Sequence, residues 1–303
     1  MREAKRKDWG REVRSVWVRV PASTANLGPG FDTLGLGLAL YNVFRVERND
    51  PGSISPPELP PLVRQVAELF FVQSQTEAFP FQWNCVQQEI PLARGLGSSA
   101  AARVAVLAAL VKLAGIAWNR EQLARWAAQL EGHPDNALPC ALGGFVASTS
   151  GGARFLRIPL PKHFRVVLFI PSQELSTESA RKVLPAAIPL TDAVSNLGRA
   201  VVLAGQFFGR KWQLSPDLFE DVWHQPVRTR LLPYWEAIKK AALEAGAQGF
   251  WLSGSGPTLA ALAMRNTRRV KEAMAEAASR QRVCGQVQVV GPDNSGVRIL
   301  RVA

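Results

Sequence analysis

The residues best suited to chemistry begin at residue 90, in the stretch IPLARGLGSSAAARVAVLAAL. Gly95 and Gly97 allow backbone conformations and close approaches that a Cβ blocks. Ser98 and Ser99 add hydroxyls able to bind a phosphate oxygen or a magnesium ion. The alanine, valine and leucine run that follows is broken only by Arg103 and Lys112. That pattern predicts a helix over 98–114, apolar nearly all round and therefore buried. A helix N-terminus carries about half a positive charge and four unpaired N–H donors. A strand-like segment, a glycine turn and a helix, in that order, suit the binding of an anion and above all a phosphate.

The stretch is not a Walker A loop, because G-x-x-x-x-G-K-[ST] is absent. Gly95, Gly97 and Ala100 satisfy the weaker G-x-G-x-x-A pattern, which makes a dinucleotide fold an alternative. Against that, no acidic residue ends a second strand about 20 positions on. A tight turn that merely lets a helix pack on a sheet is the plain structural alternative. The next helix, predicted over 120–131, starts at Asn119 and Gln122, which resemble a capping box. Leu123, Trp126, Ala127 and Leu130 give it an apolar stripe. Glu131 ends it, where the helix dipole disfavours a negative charge. Such a carboxylate calls for an arginine or a metal, magnesium beside a triphosphate being the sharper reading. An exposed glutamate at a frayed end is the other. The segment GHPDN then sets His133, Asp135 and Asn136 in what reads as a turn.

The elements that must position these residues are mixed. Residues 13–20 alternate, with Val16, Val18 and Val20 on one face, and predict a strand. Further strands are expected over 36–47 and 79–90, with a proline-rich connection over 49–61. The second half opens on FRVVLFIPS, continues with helices and ends in strands near 250–253, 258–263, 286–290 and 297–302. A helix over 268–282 separates the middle pair. Such mixing argues for α+β. The expected division is a basic tail over 1–15, one domain over 16–160 and a second over 161–303. Of 303 residues 47% are hydrophobic and 20% charged, a globular balance. The net charge of +12 suits an anionic partner. The basic residues are dispersed, so nucleic acid is not expected as a partner. Three scattered cysteines indicate neither a disulfide framework nor a zinc site. With no apolar run of membrane length and no leader-like N-terminus, a cytoplasmic location is expected.

Three segments together, PASTANLGPGFDTLG (21–35), PLARGLGSSAA (91–101) and SGSGPT (253–258), resemble the three motifs of the GHMP family of small-molecule kinases, in the family's order. EGHPDN, STESARKVLP, SNLGRA and QPVRTRLLP are most similar to the branch that phosphorylates L-homoserine. The resemblance implies a two-domain α+β fold, with a ribosomal-protein-like N-terminal domain and a ferredoxin-like C-terminal one. It implies ATP between the domains, held by Pro91, Leu92, Ala93, Arg94, Gly95, Leu96, Gly97, Ser98, Ser99, Ala100 and Ala101, with Mg2+ on Ser99 and Glu131. Homoserine would lie on Asn26, Asp32, His133, Asp135, Arg181 and Arg228. Asp32 and Asp135 suit its ammonium, and the arginine forks its carboxylate. Arg181 reads as lying on a short helix between Ser176 and Pro185, and Arg228 in a loop. Asn136 stands where some relatives have a catalytic aspartate, which implies transfer without a general base. L-Homoserine and ATP are then the small-molecule partners, with room for a homodimer. The chain departs from the family at Thr24, Gln225, Val227 and the SNLGR run. A kinase of the same family acting on another small alcohol is the nearest alternative, and a basic RNA-binding protein a distant one.

Overall fold

The computed structural model describes residues 13–49, 58–117 and 119–303. The expected basic tail and most of the proline-rich connection lie outside the described residues. The first half builds one antiparallel sheet from β1 (Ser15–Ala25), β2 (Leu34–Arg48), β3 (Phe81–Gln88), β4 (Phe145–Ser148) and β5 (Phe155–Ile158). Val16, Val18 and Val20 turn to one side of β1 and are fully buried, as their alternation predicts. Four helices accompany this sheet: α1 (Pro61–Ser74), α2 (Ser98–Leu113), α3 (Arg120–Glu131) and α4 (Pro134–Leu142). In α1, Val63, Val66, Ala67 and Phe70 are buried at helical spacing, a pattern that the strand-led sequence reading passes over.

The second half contains β6 (Val166–Pro171), α5 (Thr177–Lys182), α6 (Leu190–Phe208), α7 (Gln225–Arg228) and α8 (Trp235–Glu244). It continues with β7 (Gly249–Leu252), β8 (Leu259–Leu262), α9 (Thr267–Arg280), β9 (Gly285–Val290) and β10 (Arg298–Val302). Its sheet runs β7-β8-β6-β9, all antiparallel. That order, with helical crossovers between β6 and β7 and between β8 and β9, is the ferredoxin-like β-α-β-β-α-β arrangement. The halves are not separate stretches of chain throughout. β10, expected with the second domain, joins the first sheet, pairing Val16 with Val302 and Val18 with Ile299. The first sheet is thus β10-β1-β2-β4-β5, with β3 also on β2. Two readings change as well. GHPDN is the start of α4 rather than a free turn, with Pro134 in its first turn. Arg228 lies on the single turn of α7 rather than in a loop. Among the described residues no helix is long and apolar enough to cross a membrane.

Candidate active site

α2 is held rigidly because Ala100, Ala101, Ala102 and most residues after them are buried. Gly97 caps it at φ +70°, and its first intrahelical bond is Ala101 N–H to Gly97 O, at 2.8 Å. The N–H groups of Ser98, Ser99 and Ala100 therefore precede the helix ladder, and no acidic residue crowds this first turn. The glycines before it answer to packing as well as to any ligand. A Cβ on Gly95 would sit 2.2 Å from the Ser253 carbonyl oxygen, and one on Gly97 would sit 2.1 Å from Ser23 Oγ. Only glycine lets the three motif segments converge here.

Hydroxyls and amides lock that convergence. Ser253 Oγ lies 2.7 Å from the Gly95 carbonyl oxygen and 2.8 Å from Thr24 Oγ1. Trp251 Nε1 donates to the same Thr24 hydroxyl at 2.9 Å, so threonine supplies the oxygen this position uses. Asn26 is buried, with both ends of its amide engaged. Its Nδ2 donates to Gly254 O at 2.9 Å, and its Oδ1 accepts from Asp32 N–H at 3.0 Å. Asn26 therefore ties the first motif to the third.

Between the halves lies a cleft of about 570 Å³ that opens to solvent. Ala93, Gly95, Gly97, Ser98 and Ser99 line one end. The rest of the expected phosphate loop does not. Leu96, Ala100 and Ala101 bury their side chains in the core, and Pro91 and Leu92 lie outside the lining. Arg94 turns away, bonding the carbonyl oxygens of Pro171, Ser172 and Leu92 and pairing with Glu174 at 3.2 Å. It straps the loop to the second half.

At the α2 end, Ser99 Oγ donates to Glu131 Oε1 at 2.8 Å. Arg103, one helical turn after Ser99, bonds both of those oxygens through Nη1. Glu131 is only 10% exposed, which excludes a frayed, solvated end. Its cation in this structure is an arginine. Two hard oxygens so placed also fit Mg2+. Sequence reasoning missed Arg103, although its i+4 spacing from Ser99 on a predicted helix was the available signal.

The other end of the cleft gathers Asn26, Asp32, His133, Asp135, Asn136, Arg181 and Arg228, with Thr177 and Ser255 beside them. Every residue expected around an amino-acid substrate reaches this one space. α3 stops at Gly132, φ +79°, and His133 then caps α4. Asp135 sits in the first turn of α4, where the helix dipole favours its charge. His133 Nδ1 lies 2.6 Å from Asp135 Oδ1. Burial works against the imidazolium. The bond to Asp135, with the charges of Asp135, Asp32 and Glu131, outweighs burial and raises the His133 pKa above its ordinary value. Asn136 Oδ1 accepts from Ser23 Oγ at 2.8 Å.

Arg181 on α5 pairs with Asp32 at 2.8 Å. Arg228 is buried; its Nε donates to Ala180 O at 3.1 Å and its Nη1 to Gly254 O at 3.3 Å. Burial and the neighbouring Arg181 lower its pKa to about 10, so it stays charged near neutrality. The Phe31 ring serves both arginines, 5.6 Å from the Arg181 guanidinium and 5.1 Å from that of Arg228. Behind Arg228, His224 lies fully buried, its Nε2 2.8 Å from Gly28 O and its Nδ1 3.3 Å from Arg228 Nη1. Burial lowers its pKa, so neutral His224 can accept from the arginine. Gln225 accepts from Leu252 N–H at 2.7 Å and gives its own N–H to Asp221 at 2.6 Å. Phe31 carried no distinguishing signal in the sequence, because its role comes from contacts with residues far along the chain, and the four-residue spacings that link Asp221 to Gln225 and His224 to Arg228 lie in a segment with no helical pattern to place them on one face.

An N–H array at a buried helix terminus, facing a charged cleft between two α+β halves, defines the site of a phosphate-transferring enzyme for a small molecule. Residues 61–144 match the GHMP kinases N terminal domain and residues 195–281 the GHMP kinases C terminal domain. The chain belongs to the GHMP kinase family. It is 38% identical to the homoserine kinase of Caldicellulosiruptor bescii over 94% of its own length and 97% of that protein. It is also 38% identical to the homoserine kinase of Moorella thermoacetica, over 93% and 99%. The crystal structure of homoserine kinase from Cytophaga hutchinsonii superposes with a TM-score of 0.85 at 27% identity, covering 99% of this chain and all of that one.

Proposed function

We propose that the chain transfers the γ-phosphoryl group of ATP to the side-chain hydroxyl of L-homoserine, giving O-phospho-L-homoserine and ADP. The observation that carries this reading is the polarity of the cleft. Helix-terminal N–H donors stand at one end, and two carboxylates, a histidine and two arginines at the other. The named substrate follows from full-length relatives that are homoserine kinases. GHMP kinases use ATP, and the N–H groups of Ser98, Ser99 and Ala100 suit its phosphate oxygens.

Mg2+ would be held by Ser99 and Glu131, where the charge of Arg103 already marks a place for a cation. Bound there, the ion supplies charge neutralisation for the phosphoryl oxygens. Asp32 and Asp135 face the substrate ammonium, and Arg181 and Arg228 its carboxylate. Without substrate, Arg181 and Asp32 neutralise each other; a zwitterion offers each a new partner of opposite sign. Asn136 cannot take a proton, and its carbonyl oxygen is already engaged by Ser23. The homoserine hydroxyl therefore attacks directly. Its oxygen bonds the γ-phosphorus as the bond to the β–γ bridging oxygen breaks, and its proton passes to the transferred phosphate. A threonine-forming biosynthetic role and a cytoplasmic location go with this reading.

The test is ADP release by the purified protein with ATP and Mg2+ across homoserine, serine, threonine, mevalonate and no acceptor. Release with homoserine alone is expected. Release with mevalonate alone would keep the phosphate site and overturn the amino-acid pocket.

A further inference from the structure

The phosphoryl-transfer reading leaves one buried titratable group of the cleft without a task. His224 is fully buried and lies four positions before Arg228, at the start of α7. Its two ring nitrogens have partners of opposite kind. Nε2 lies 2.8 Å from the Gly28 carbonyl oxygen, which can only accept, so Nε2 carries the proton. Nδ1 lies 3.3 Å from Arg228 Nη1, which can only donate, so Nδ1 is the bare acceptor. These contacts fix the tautomer and the neutral state together, and burial lowers the His224 pKa in the same sense. The charged groups around the ring oppose one another. Asp221 and Asp32 favour an imidazolium and Arg228 disfavours it, with Arg181 beside Arg228. Asp221 is already engaged: Oδ1 accepts from Asn196 Nδ2 at 2.5 Å and Oδ2 from the Gln225 N–H at 2.6 Å.

Arg228 is therefore held by neutral acceptors. Nε donates to Ala180 O, and Nη1 to His224 Nδ1 and Gly254 O. Among the described residues no carboxylate pairs with it, and its Nη2 makes no bond to the protein although the residue lines the cleft. Arg181 differs, because Asp32 neutralises it at 2.8 Å. A carboxylate at position 224 would hold Arg228 equally well, but it would cancel the charge that an anionic group of the substrate needs. We infer that His224 is a positioning residue for substrate recognition, a neutral acceptor that aims the Arg228 guanidinium at the substrate carboxylate without neutralising it. This rests on the reading of the cleft as an amino-acid site. Arg228 is then the fixed, undiminished charge of the clamp, and Arg181 the one that exchanges Asp32 for the ligand.

Nitrogen-15 NMR of the imidazoles tests the geometry in the intact protein, whose three histidines can be assigned by substitution. His224 should show a proton on Nε2 and none on Nδ1, and should be predominantly neutral at pH 6.5, the ordinary midpoint. Arg228→Met should move its Nδ1 signal towards that of an unbonded acceptor. A proton on Nδ1, or an imidazolium near neutrality, overturns the inference. Kinetics test the role. His224→Gln keeps one donor and one acceptor and cannot charge, so the KM for homoserine should stay within about threefold of wild type. His224→Leu removes both and should raise that KM about tenfold or more, as loss of a bond to a charged group does. Its kcat and its KM for ATP should stay within about twofold. The separating comparison uses 3-aminopropan-1-ol, homoserine without its carboxylate, as a competitor. Its inhibition constant should match in wild type and His224→Leu, because it offers Arg228 nothing to hold. A cleft merely loosened by loss of the Gly28 bond would weaken both ligands alike, and that result overturns the inference. Should His224→Leu fail to fold, the ring signals decide alone. A protein that turns over no homoserine overturns the substrate reading itself, whereas homoserine turnover with an unchanged KM in His224→Leu overturns only the positioning role.

Discussion

At the residue scale, the cleft is organised by opposite charges that neutralise one another. Glu131 is the clearest case, because its carboxylate meets Ser99 and Arg103 in the first turns of α2. Glu131→Gln keeps the shape and removes the charge, so Mg2+-dependent turnover should fall by roughly 10²-fold or more. Near-normal turnover would remove the metal role from this residue. Arg181→Gln should raise the KM for homoserine at least tenfold and leave that for ATP within about twofold, since loss of a charge-assisted bond costs roughly 1.5–3 kcal/mol. Equal changes in both constants would place Arg181 outside the carboxylate clamp. His133 makes a statement about pH. Its pKa is raised in the folded chain, so the pair with Asp135 stabilises the fold in full below the unfolded value, about 6.5. That contribution fades as the pH rises through the folded value. The thermal midpoint of wild type minus that of His133→Gln should therefore be largest on the acidic side and shrink towards alkaline pH. A difference that stays flat or grows with pH would contradict the pairing.

At the element scale, what matters is how little room the loops leave. Gly95 has φ +71° and its missing side chain would strike a backbone carbonyl that cannot rotate away. Gly95→Ala should cost at least about 2 kcal/mol in urea unfolding and abolish ATP binding measured by calorimetry. Unchanged stability would mean that the loop has slack the contacts with Ser253 do not suggest. α2, α3 and the start of α4 were legible from the chain alone in unequal measure. Apolar content defined α2, and the Asn119 cap with its four-residue rhythm defined α3 to the residue. α4 was hidden, because a proline and turn-forming residues open it and Pro139 sits inside it. Its helical state is fixed by packing against β2, where a Cβ on Gly35 would lie 1.9 Å from Asp135 O.

At the scale of the whole molecule, the second half is not an independent appendage. β10 leaves it, crosses to the first sheet and covers the edge of β1. Removing residues 298–303 should uncover that edge and lower stability by on the order of 3–5 kcal/mol, taking about 1 kcal/mol for each ladder bond lost. Urea denaturation of the shortened chain measures this directly. A loss under 1 kcal/mol would show that the returning strand is dispensable. The cleft ties the halves together a second time, since Asn26 Nδ2 from the first and Arg228 Nη1 from the second both reach the carbonyl oxygen of Gly254.

By itself the sequence determined the glycine loop, the helix it opens, the mixed α+β character and the family, because glycine spacing and helical rhythm are local signals. It also pointed to Asp32, His133, Asp135, Arg181 and Arg228 through resemblance to that family. Only the tertiary structure decided that Arg103 shares Glu131, that Phe31 lies between two arginines, that His224 backs Arg228 and that β10 returns to the first sheet. All but the His224–Arg228 pair are contacts between residues far apart in the chain, and that pair needed the single turn of α7 to form first. No local pattern encodes such a contact; it exists only once burial of the core has fixed where the backbone passes.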